Sequence, residues 1–170
     1  KGIIRAVGNP QDRFSEDALR MIRAVRFASI LDFAIEDETF KAIRILAGTI
    51  ENISMERIRE ELFKLLVSPN PSYGVNLLLN TGLMKFVLPE LMKTVDFPQN
   101  NPYHNMDVYK HTLCVLEKCP PLLHVRLAAL FHDIGKPYCY TEDAEGIGHF
   151  YGHDEKSVEI VVRTLKRLKS

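Results

Sequence analysis

The chain has 170 residues, with 22 basic and 22 acidic side chains, 46% hydrophobic content and no tryptophan. This length suits one ordinary domain or two small helical ones, and near-average glycine and proline content excludes collagenous and low-complexity classes. A formal net charge of zero argues against a protein that coats nucleic acid non-specifically. Three cysteines without Cys-x-x-Cys spacing argue against a disulfide framework or a zinc knuckle, and favour a reducing, cytoplasmic location.

The longest uncharged stretch, residues 65–84, has the length of a membrane span. It contains Pro69, Pro71 and Gly74, so it predicts a helix end, a turn and a new helix instead. The first residues lack the apolar core of a signal peptide. We therefore expect no membrane partner, and the missing initiator methionine favours a piece of a longer protein.

Apolar residues at helical spacing dominate the first half of the chain. Ser15, followed by two acids, predicts a helix start, because a hydroxyl caps free amides and acids favour the positive end of the helix dipole. Leu19, Ile22, Val25 and Phe27 would form the apolar face of that helix. Similar patterns predict a helix over 40–47 opened by Asp37, a helix over 73–80, and a short helical segment over 83–91. Another helix is predicted to open at Ser54, and one of its faces would carry Ile58, Leu62, Leu65 and Leu66.

A polar, proline-containing segment, residues 96–103, interrupts this pattern and predicts a boundary between two subdomains. Beyond it, the spacing predicts helices over 107–118, 122–131 and 155–168. Residues 138–150 contain two glycines and alternating aromatic residues, so they predict a loop with a weak hairpin. The predicted fold class is all-α.

Glu16, Asp17 and Arg20 form a Glu-Asp-x-x-Arg pattern at the predicted helix start. On a helix, Asp17 and Arg20 would share a face, and the simplest interpretation is an intrahelical ion pair. However, a carboxylate only accepts hydrogen bonds and a guanidinium only donates them. The two groups therefore complement the amino donor and ring-nitrogen acceptor of cytosine and of adenine, whereas guanine and uracil present the opposite order. The pattern also fits a site that reads C and A.

Eight of the eleven arginines lie in the first 59 residues, where nine acids accompany them. Guanidinium groups suit planar, bidentate contacts to phosphate. Ordinary solvated helix faces explain the same composition equally well. The eight are Arg5, Arg13, Arg20, Arg23, Arg26, Arg44, Arg57 and Arg59.

Three segments share a pattern with one known family. They are residues 5–27, with Arg5-Ala6-Val7-Gly8-Asn9-Pro10 and Glu-Asp-x-x-Arg; residues 53–62, Ile-Ser-x-Glu-Arg-Ile-x-x-Glu-Leu; and residues 82–91, ending in Leu-Pro-Glu-Leu. They resemble the bacterial tRNA nucleotidyltransferase and poly(A) polymerase family, which includes the CCA-adding enzymes. The resemblance extends over nearly the whole chain.

This resemblance implies the neck and body of an enzyme that adds C and A to the 3′ end of tRNA from CTP and ATP. It implies residues 1–14 as the end of a nucleotidyltransferase head, 15–95 as a neck, and 96–170 as a C-terminally truncated HD-like domain. It leaves open whether the product is CCA, CC, A or a poly(A) tail. It also implies base reading by Asp17 and Arg20 with support from Glu16, and nucleotide contacts by Arg23 and Arg26.

The family's catalytic head holds Mg²⁺ on an Asp-x-Asp pair, and no Asp-x-Asp occurs in this sequence. Nucleotidyl transfer requires carboxylates that hold Mg²⁺ against the triphosphate. We therefore expect that this chain alone does not add nucleotides.

All six histidines lie between residues 104 and 153. The run Phe-His-Asp-Ile-Gly-Lys-Pro at 131–137, with a histidine upstream, resembles the HD phosphohydrolase superfamily, in which histidines and aspartates hold a divalent metal. The resemblance implies His111, His132 and Asp133 as metal ligands, with His153 as an additional one. His104 is expected to be structural.

The distal aspartate of that superfamily has no clear counterpart here, since Asp143 and Asp154 are the only aspartates after Asp133. A metal-free HD fold that acts as a scaffold therefore stays an alternative. Two functions compete with nucleotide addition at this point: a metal-dependent phosphohydrolase, and a structural RNA-binding helical module.

Overall fold

The computed structural model describes residues 2–100 and 106–170. His104 and the end of the predicted boundary segment lie outside the described residues. Within these residues the chain is built from α-helices, with only two-residue strands beside them, so the predicted all-α class is confirmed. No helix in the described ranges is both long and apolar enough to cross a lipid bilayer.

The chain divides into two compact units, Lys1–Pro89 with Leu168–Ser170, and Glu90–Arg167. The first unit contains β1 (Ile3–Ile4), α1 (Pro10–Glu16), α2 (Leu19–Leu31), β2 (Ala34–Ile35), α3 (Asp37–Leu46), α4 (Met55–Leu66), α5 (Pro71–Asn80) and α6 (Met84–Val87). The second contains α7 (Val108–Lys118), α8 (Leu123–Phe131), β3 (Thr141–Glu142), β4 (Gly148–His149) and α9 (His153–Arg167). Tight 3-10 turns cover Ala47–Asn52, Pro89–Thr94 and Lys136–Tyr138.

The core of the first unit forms where α2 packs against α4 and α5. The predicted apolar face of α4 is confirmed, because its four residues are all buried. On α2, Leu19, Ile22 and Val25 are also buried as predicted. The prediction for Phe27 is wrong, since this residue is 42% exposed, with its ring centroid 4.3 Å from Cζ of the Arg26 guanidinium.

The predicted helix start at Ser15 is wrong, because α1 already begins at Pro10 and ends at Glu16. The side chain of Asn9 caps α1 by accepting hydrogen bonds from the main-chain N–H groups of Gln11 and Asp12. Pro10, at the first helical position, also favours this start, because its fixed φ angle is close to the helical value. Asp17 then has an extended backbone, with φ −151°, so it interrupts the helical path between α1 and α2.

The segment before α1, residues 2–6, is hydrogen-bonded to the α2–α3 connection and the start of α3. β1 pairs with β2 in parallel, with Ile3 opposite Ala34 and Ile4 opposite Ile35. Beyond this short ladder, the main-chain N–H of Ala6 donates to the hydroxyl of Thr39, at 3.1 Å. The sequence reasoning did not predict this pairing.

In the second unit, α7 packs against α8, and α9 packs against the 3-10 turn Lys136–Tyr138. The side chain of Asp107 caps α7 by accepting a hydrogen bond from the main-chain N–H of Lys110, at 2.7 Å. The core includes Leu116, Leu130 and Ile160, which are all buried. The predicted hairpin is confirmed as the antiparallel pair β3 and β4.

Candidate nucleotide-reading and HD sites

Asp17 lies between α1 and α2, and two hydrogen bonds hold its carboxylate. Oδ1 accepts from the main-chain N–H of Leu19, at 3.1 Å, which places Asp17 at the first free amides of α2. Oδ2 accepts from Nη2 of Arg57 on α4, also at 3.1 Å. The orientation of this carboxylate is therefore set by α2 on one side and by α4 on the other.

Arg20 pairs with Glu16 and not with Asp17. Its Nη1 lies 2.6 Å from Oε2 of Glu16 and also donates to the main-chain oxygen of Arg13, at 3.1 Å. The intrahelical Asp17–Arg20 ion pair is therefore a wrong prediction, since Asp17 is not helical. Hydrogen bonds from Arg20 and then from Arg13 hold the pKa of Glu16 below its usual range. Glu16 thus acts as an ionised anchor for two guanidinium groups.

Two cavities lie beside these groups and share Phe14 in their linings. One, of about 430 Å³, is mainly apolar and is bordered by Arg13, Arg20 and Arg23. The other, of about 500 Å³, is bordered by Asp17 and Arg57. The predicted base readers Asp17 and Arg20 are thus close in sequence but line different cavities.

Glu61 is an acid that the sequence reasoning did not assign, and it lies only 5% exposed in the core of the first unit. Its Oε2 lies 2.8 Å from Nε of Arg26, and its Oε1 lies 3.9 Å from Nε of Arg23. The side chain of Arg26 is 13% exposed and that of Arg23 is 50% exposed. Arg26 is therefore committed to a buried ion pair, whereas Arg23 keeps an open side toward the apolar cavity. The sequence did contain a signal for this buried acid, since Glu61 lies between Ile58 and Leu62 on the predicted apolar face of α4.

The four predicted metal ligands of the second unit come together from three helices. His111 lies in the middle of α7, His132 follows the last residue of α8, Asp133 comes next, and His153 begins α9. Nε2 of His132 and of His111 lie 3.2 and 3.7 Å from Oδ2 of Asp133. Nε2 of His153 lies 3.7 Å from Oδ1 of the same carboxylate.

Main-chain carbonyl groups fix how two of these imidazoles face the centre. Nδ1 of His132 lies 2.7 Å from the oxygen of Ala129, and Nδ1 of His153 lies 2.7 Å from the oxygen of Phe150. Because a carbonyl oxygen only accepts, each Nδ1 must hold the proton. In the neutral imidazoles, the lone pair is then on Nε2, the atom that faces Asp133.

The charges of this cluster are coupled. The hydrogen bond to Asp133 raises the pKa of His132, against the effect of burial. Burial alone would raise the pKa of Asp133, but hydrogen bonds from His132 and Lys136 hold it well below its usual range. Asp133 is therefore an ionised, buried carboxylate at the centre of the cluster.

Lys136 is a further member that the sequence reasoning missed. Its Nζ lies 2.8 Å from Oδ2 of Asp133 and donates to Oε1 of Gln99, at 2.8 Å, and the residue is 7% exposed. The spacing of three residues after Asp133 was a signal for this pair, whereas nothing in the sequence pointed to Gln99. An internal ammonium group thus already balances part of the charge of Asp133.

Gly135 and Ser157 position the start of α9 against this cluster. The hydroxyl of Ser157 accepts from the main-chain N–H of Gly135, at 2.9 Å, and donates to the oxygen of His132, at 3.1 Å. A Cβ atom at Gly135 would lie 2.3 Å from the main-chain oxygen of His153. Glycine is therefore required here by close approach of the two segments, which brings His153 to Asp133.

The donor set fits a divalent metal. One ligand atom from each of His111, His132 and Asp133 lies within 4.8 Å of the others. Imidazole and carboxylate together suit transition metals, and the carbonyl partners of Nδ1 are the outer contacts that such ligands usually have. Among the other histidines, His149 pairs with Asp143, at 2.8 Å, and takes no part in this set.

Comparison with known proteins identifies both units. Residues 32–94 match the family described as a probable RNA and SrmB-binding site of polymerase A, and residues 104–170 match the HD domain family. A solved structure, the Bacillus stearothermophilus CCA-adding enzyme in complex with CTP, is similar over 96% of this chain and 50% of its own, with a TM-score of 0.50. At 23% sequence identity, that likeness shows the fold alone.

Curated relatives extend over most of this chain. The A-adding tRNA nucleotidyltransferase of Deinococcus radiodurans is 35% identical over 170 residues, which cover 94% of this chain and 39% of the relative. The CC-adding tRNA nucleotidyltransferase of Thermus thermophilus is 36% identical, over 91% of this chain and 38% of its own length. The CCA-adding enzyme of Ligilactobacillus salivarius is 55% identical over 85 residues, 50% of this chain and 21% of the relative.

The chain therefore spans about two-fifths or less of these relatives. Relatives that match along nearly all of this chain, together with the polymerase A model over residues 32–94, indicate one family. The chain belongs to the bacterial tRNA nucleotidyltransferase and poly(A) polymerase family.

Proposed function

We propose that this chain is the neck and HD-like body of a tRNA nucleotidyltransferase that adds C and A to the 3′ end of tRNA in the cytoplasm. The observation that supports this most directly is the Glu-Asp-x-x-Arg segment. Its carboxylate and its guanidinium are each held by a second side chain, Asp17 by Arg57 and Arg20 by Glu16. We also propose the division into residues 1–14, 15–95 and 96–170 as head end, neck and HD-like domain.

In this proposal, Asp17 accepts a hydrogen bond from the exocyclic amino group of cytosine or adenine, and Arg20 donates to the neighbouring ring nitrogen. Guanine and uracil present a carbonyl to the carboxylate and an N–H to the guanidinium, and both contacts are unfavourable. The main chains of the two residues are in contact, because the N–H of Arg20 donates a hydrogen bond to the main-chain oxygen of Asp17, at 3.1 Å. The two groups are thus linked through one turn of backbone, but they border different cavities, so the Arg20 guanidinium must turn toward Asp17 for both to read one base.

Other side chains of the first unit would serve the nucleotide or the RNA. Arg23 borders the apolar cavity beside Arg13 and has half of its side chain exposed, so its guanidinium is available to phosphate. Arg26 would act indirectly, because its Nε is held by buried Glu61. The described residues hold no Asp-x-Asp pair, so we assign Mg²⁺ and the nucleotidyl transfer step to a head domain and recognition to this chain.

The first test is nucleotide addition by the complete gene product on tRNA transcripts that end before the CCA sequence. We expect incorporation of C, of A or of both, with at least about tenfold less U and G, because one opposed hydrogen bond to a charged group costs at least this factor. Product lengths on a sequencing gel distinguish CCA, CC, A and poly(A) products. Equal incorporation of all four nucleotides, or of none, would contradict the proposal.

A second candidate function, a metal-dependent phosphohydrolase, is favoured by the cluster around Asp133. His111, His132, Asp133 and His153 would hold the metal, which when bound would polarise a phosphoester and activate water. The chain itself supplies the orientation of two imidazoles through the oxygens of Ala129 and Phe150. Lys136 keeps the carboxylate ionised, and its ammonium lies on the same oxygen, Oδ2, that faces His111 and His132, so a metal would have to displace it or share that oxygen with it.

Binding of Mn²⁺ or Co²⁺ by the purified chain tests this second candidate by titration calorimetry. We expect one equivalent of metal, and at least about tenfold weaker binding by Asp133→Asn, since a ligand charge is lost. The control is Asp143→Asn, because Asp143 pairs with His149 outside the cluster. No binding by the unchanged chain at millimolar metal would leave this domain as a scaffold.

A further inference from the structure

We propose that Arg57 is a positioning residue for base selection, which holds the Asp17 carboxylate in the orientation that accepts from cytosine or adenine. This inference rests on the proposed function, in which Asp17 reads the base. Arg57 was visible in the sequence only as one of eight clustered arginines and as part of a neck segment. The structure gives it a specific partner 40 residues earlier in the chain.

The need for a positioning residue follows from the local backbone. Asp17 is not helical, so helix geometry does not direct its side chain. The Leu19 N–H holds only Oδ1, at 3.1 Å, and a single contact leaves rotation of the carboxylate about that contact unrestricted. Arg57 supplies the second contact, on Oδ2 at 3.1 Å, and thereby fixes the plane of the group.

Both contacts leave the carboxylate able to read a base. An ionised carboxylate offers about four acceptor positions, and the two contacts on Asp17 use one on each oxygen. Its side chain is 27% exposed, so an amino group can still approach from the cavity that Asp17 and Arg57 border. The pair therefore orients the carboxylate and does not cover it.

Arg20 cannot take over this role in the observed arrangement. Its guanidinium contacts Glu16 at 2.6 Å and the main-chain oxygen of Arg13 at 3.1 Å. Arg57, by contrast, extends from α4, whose residues Ile58 and Leu62 are fully or almost fully buried. A guanidinium on a well-packed helix is a rigid support for a site group on a connecting segment.

The test compares the ratio of kcat/KM for CTP to that for UTP in variants of the complete gene product. We expect Arg57→Gln to lower this ratio by up to about tenfold, because a misoriented carboxylate weakens its hydrogen bond to the amino group of the base. Arg57→Lys should recover part of the ratio, because an ammonium keeps the charge but not the planar fork. Arg163→Gln is the matched control, since Arg163 is exposed on α9 and borders neither cavity.

A purely structural role for Arg57 would lower the melting temperature, or reduce activity with all nucleotides alike, and leave the CTP-to-UTP ratio unchanged. That result would overturn the inference. Asp17→Ala, measured in parallel, separates it from the proposed function. If Asp17→Ala loses selection while Arg57→Gln retains it, only the role of Arg57 fails. If neither variant changes selection, the proposed reading by Asp17 fails as well.

Discussion

Replacement of Asp17 by alanine is expected to lower the preference of the complete gene product for CTP and ATP over UTP and GTP by about 10- to 100-fold. The carboxylate is the acceptor for the exocyclic amino group, and a lost hydrogen bond to a charged group accounts for a factor of this size. Loss of the carboxylate also leaves Arg57 without the partner that it has at 3.1 Å. The measurement is the kcat/KM ratio for each pair of nucleotides.

The matched control is Asp12→Ala, because Asp12 is an exposed acid of α1 that borders neither cavity. It changes the net charge of the same region by the same amount. The control should keep the preference for C and A. If Asp17→Ala also keeps it, the carboxylate does not read the base.

Replacement of Glu61 by alanine should decrease the free energy of unfolding of the chain by about 3 kcal/mol, since removal of one partner leaves the other charge buried. The charge left behind is that of Arg26, whose side chain is 13% exposed and whose Nε lies 2.8 Å from Glu61. Urea denaturation followed by circular dichroism measures the change. Glu60→Ala is the control, because the neighbouring acid is exposed and should change stability by less than about 0.5 kcal/mol.

A double variant shows whether the effect comes from the buried charge. If Glu61→Leu is combined with Arg26→Leu, apolar groups replace both charges, and most of the lost stability should return. Glu61→Leu and Arg26→Leu are also measured alone. If their two losses of unfolding free energy simply add in the double variant, then packing, and not the ion pair, determines the effect of Glu61.

Apolar spacing predicted the elements whose packing is repetitive and local. The four apolar residues predicted on α4 are all buried, although Glu61 on the same face was missed, and three of the four predicted on α2 are buried. The cluster around Asp133 was expected from the resemblance of residues 131–137 to the HD superfamily, with His111 before that motif and His153 after it. These signals are strong because each depends on residue type at a fixed spacing.

The sequence could not predict features that depend on pairs distant in the chain. The Arg57–Asp17 pair spans 40 residues and the Lys136–Gln99 pair spans 37, and only the tertiary fold brings them together. The start of α1 was misplaced for a local reason. Ser15 with two acids and Asn9 with a proline are both helix-start signals, and the structure uses the second.

The short ladder between β1 and β2 has a consequence for amide hydrogen exchange. Three hydrogen bonds tie the segment before α1 to the α2–α3 connection: the N–H of Ala34 donates to Gly2, that of Glu36 to Ile4, and that of Ala6 to the hydroxyl of Thr39. If this segment detaches, all three amides lose their partners in one step. They therefore form a small opening unit, which exchanges at a lower free energy than the buried helices α2 and α4.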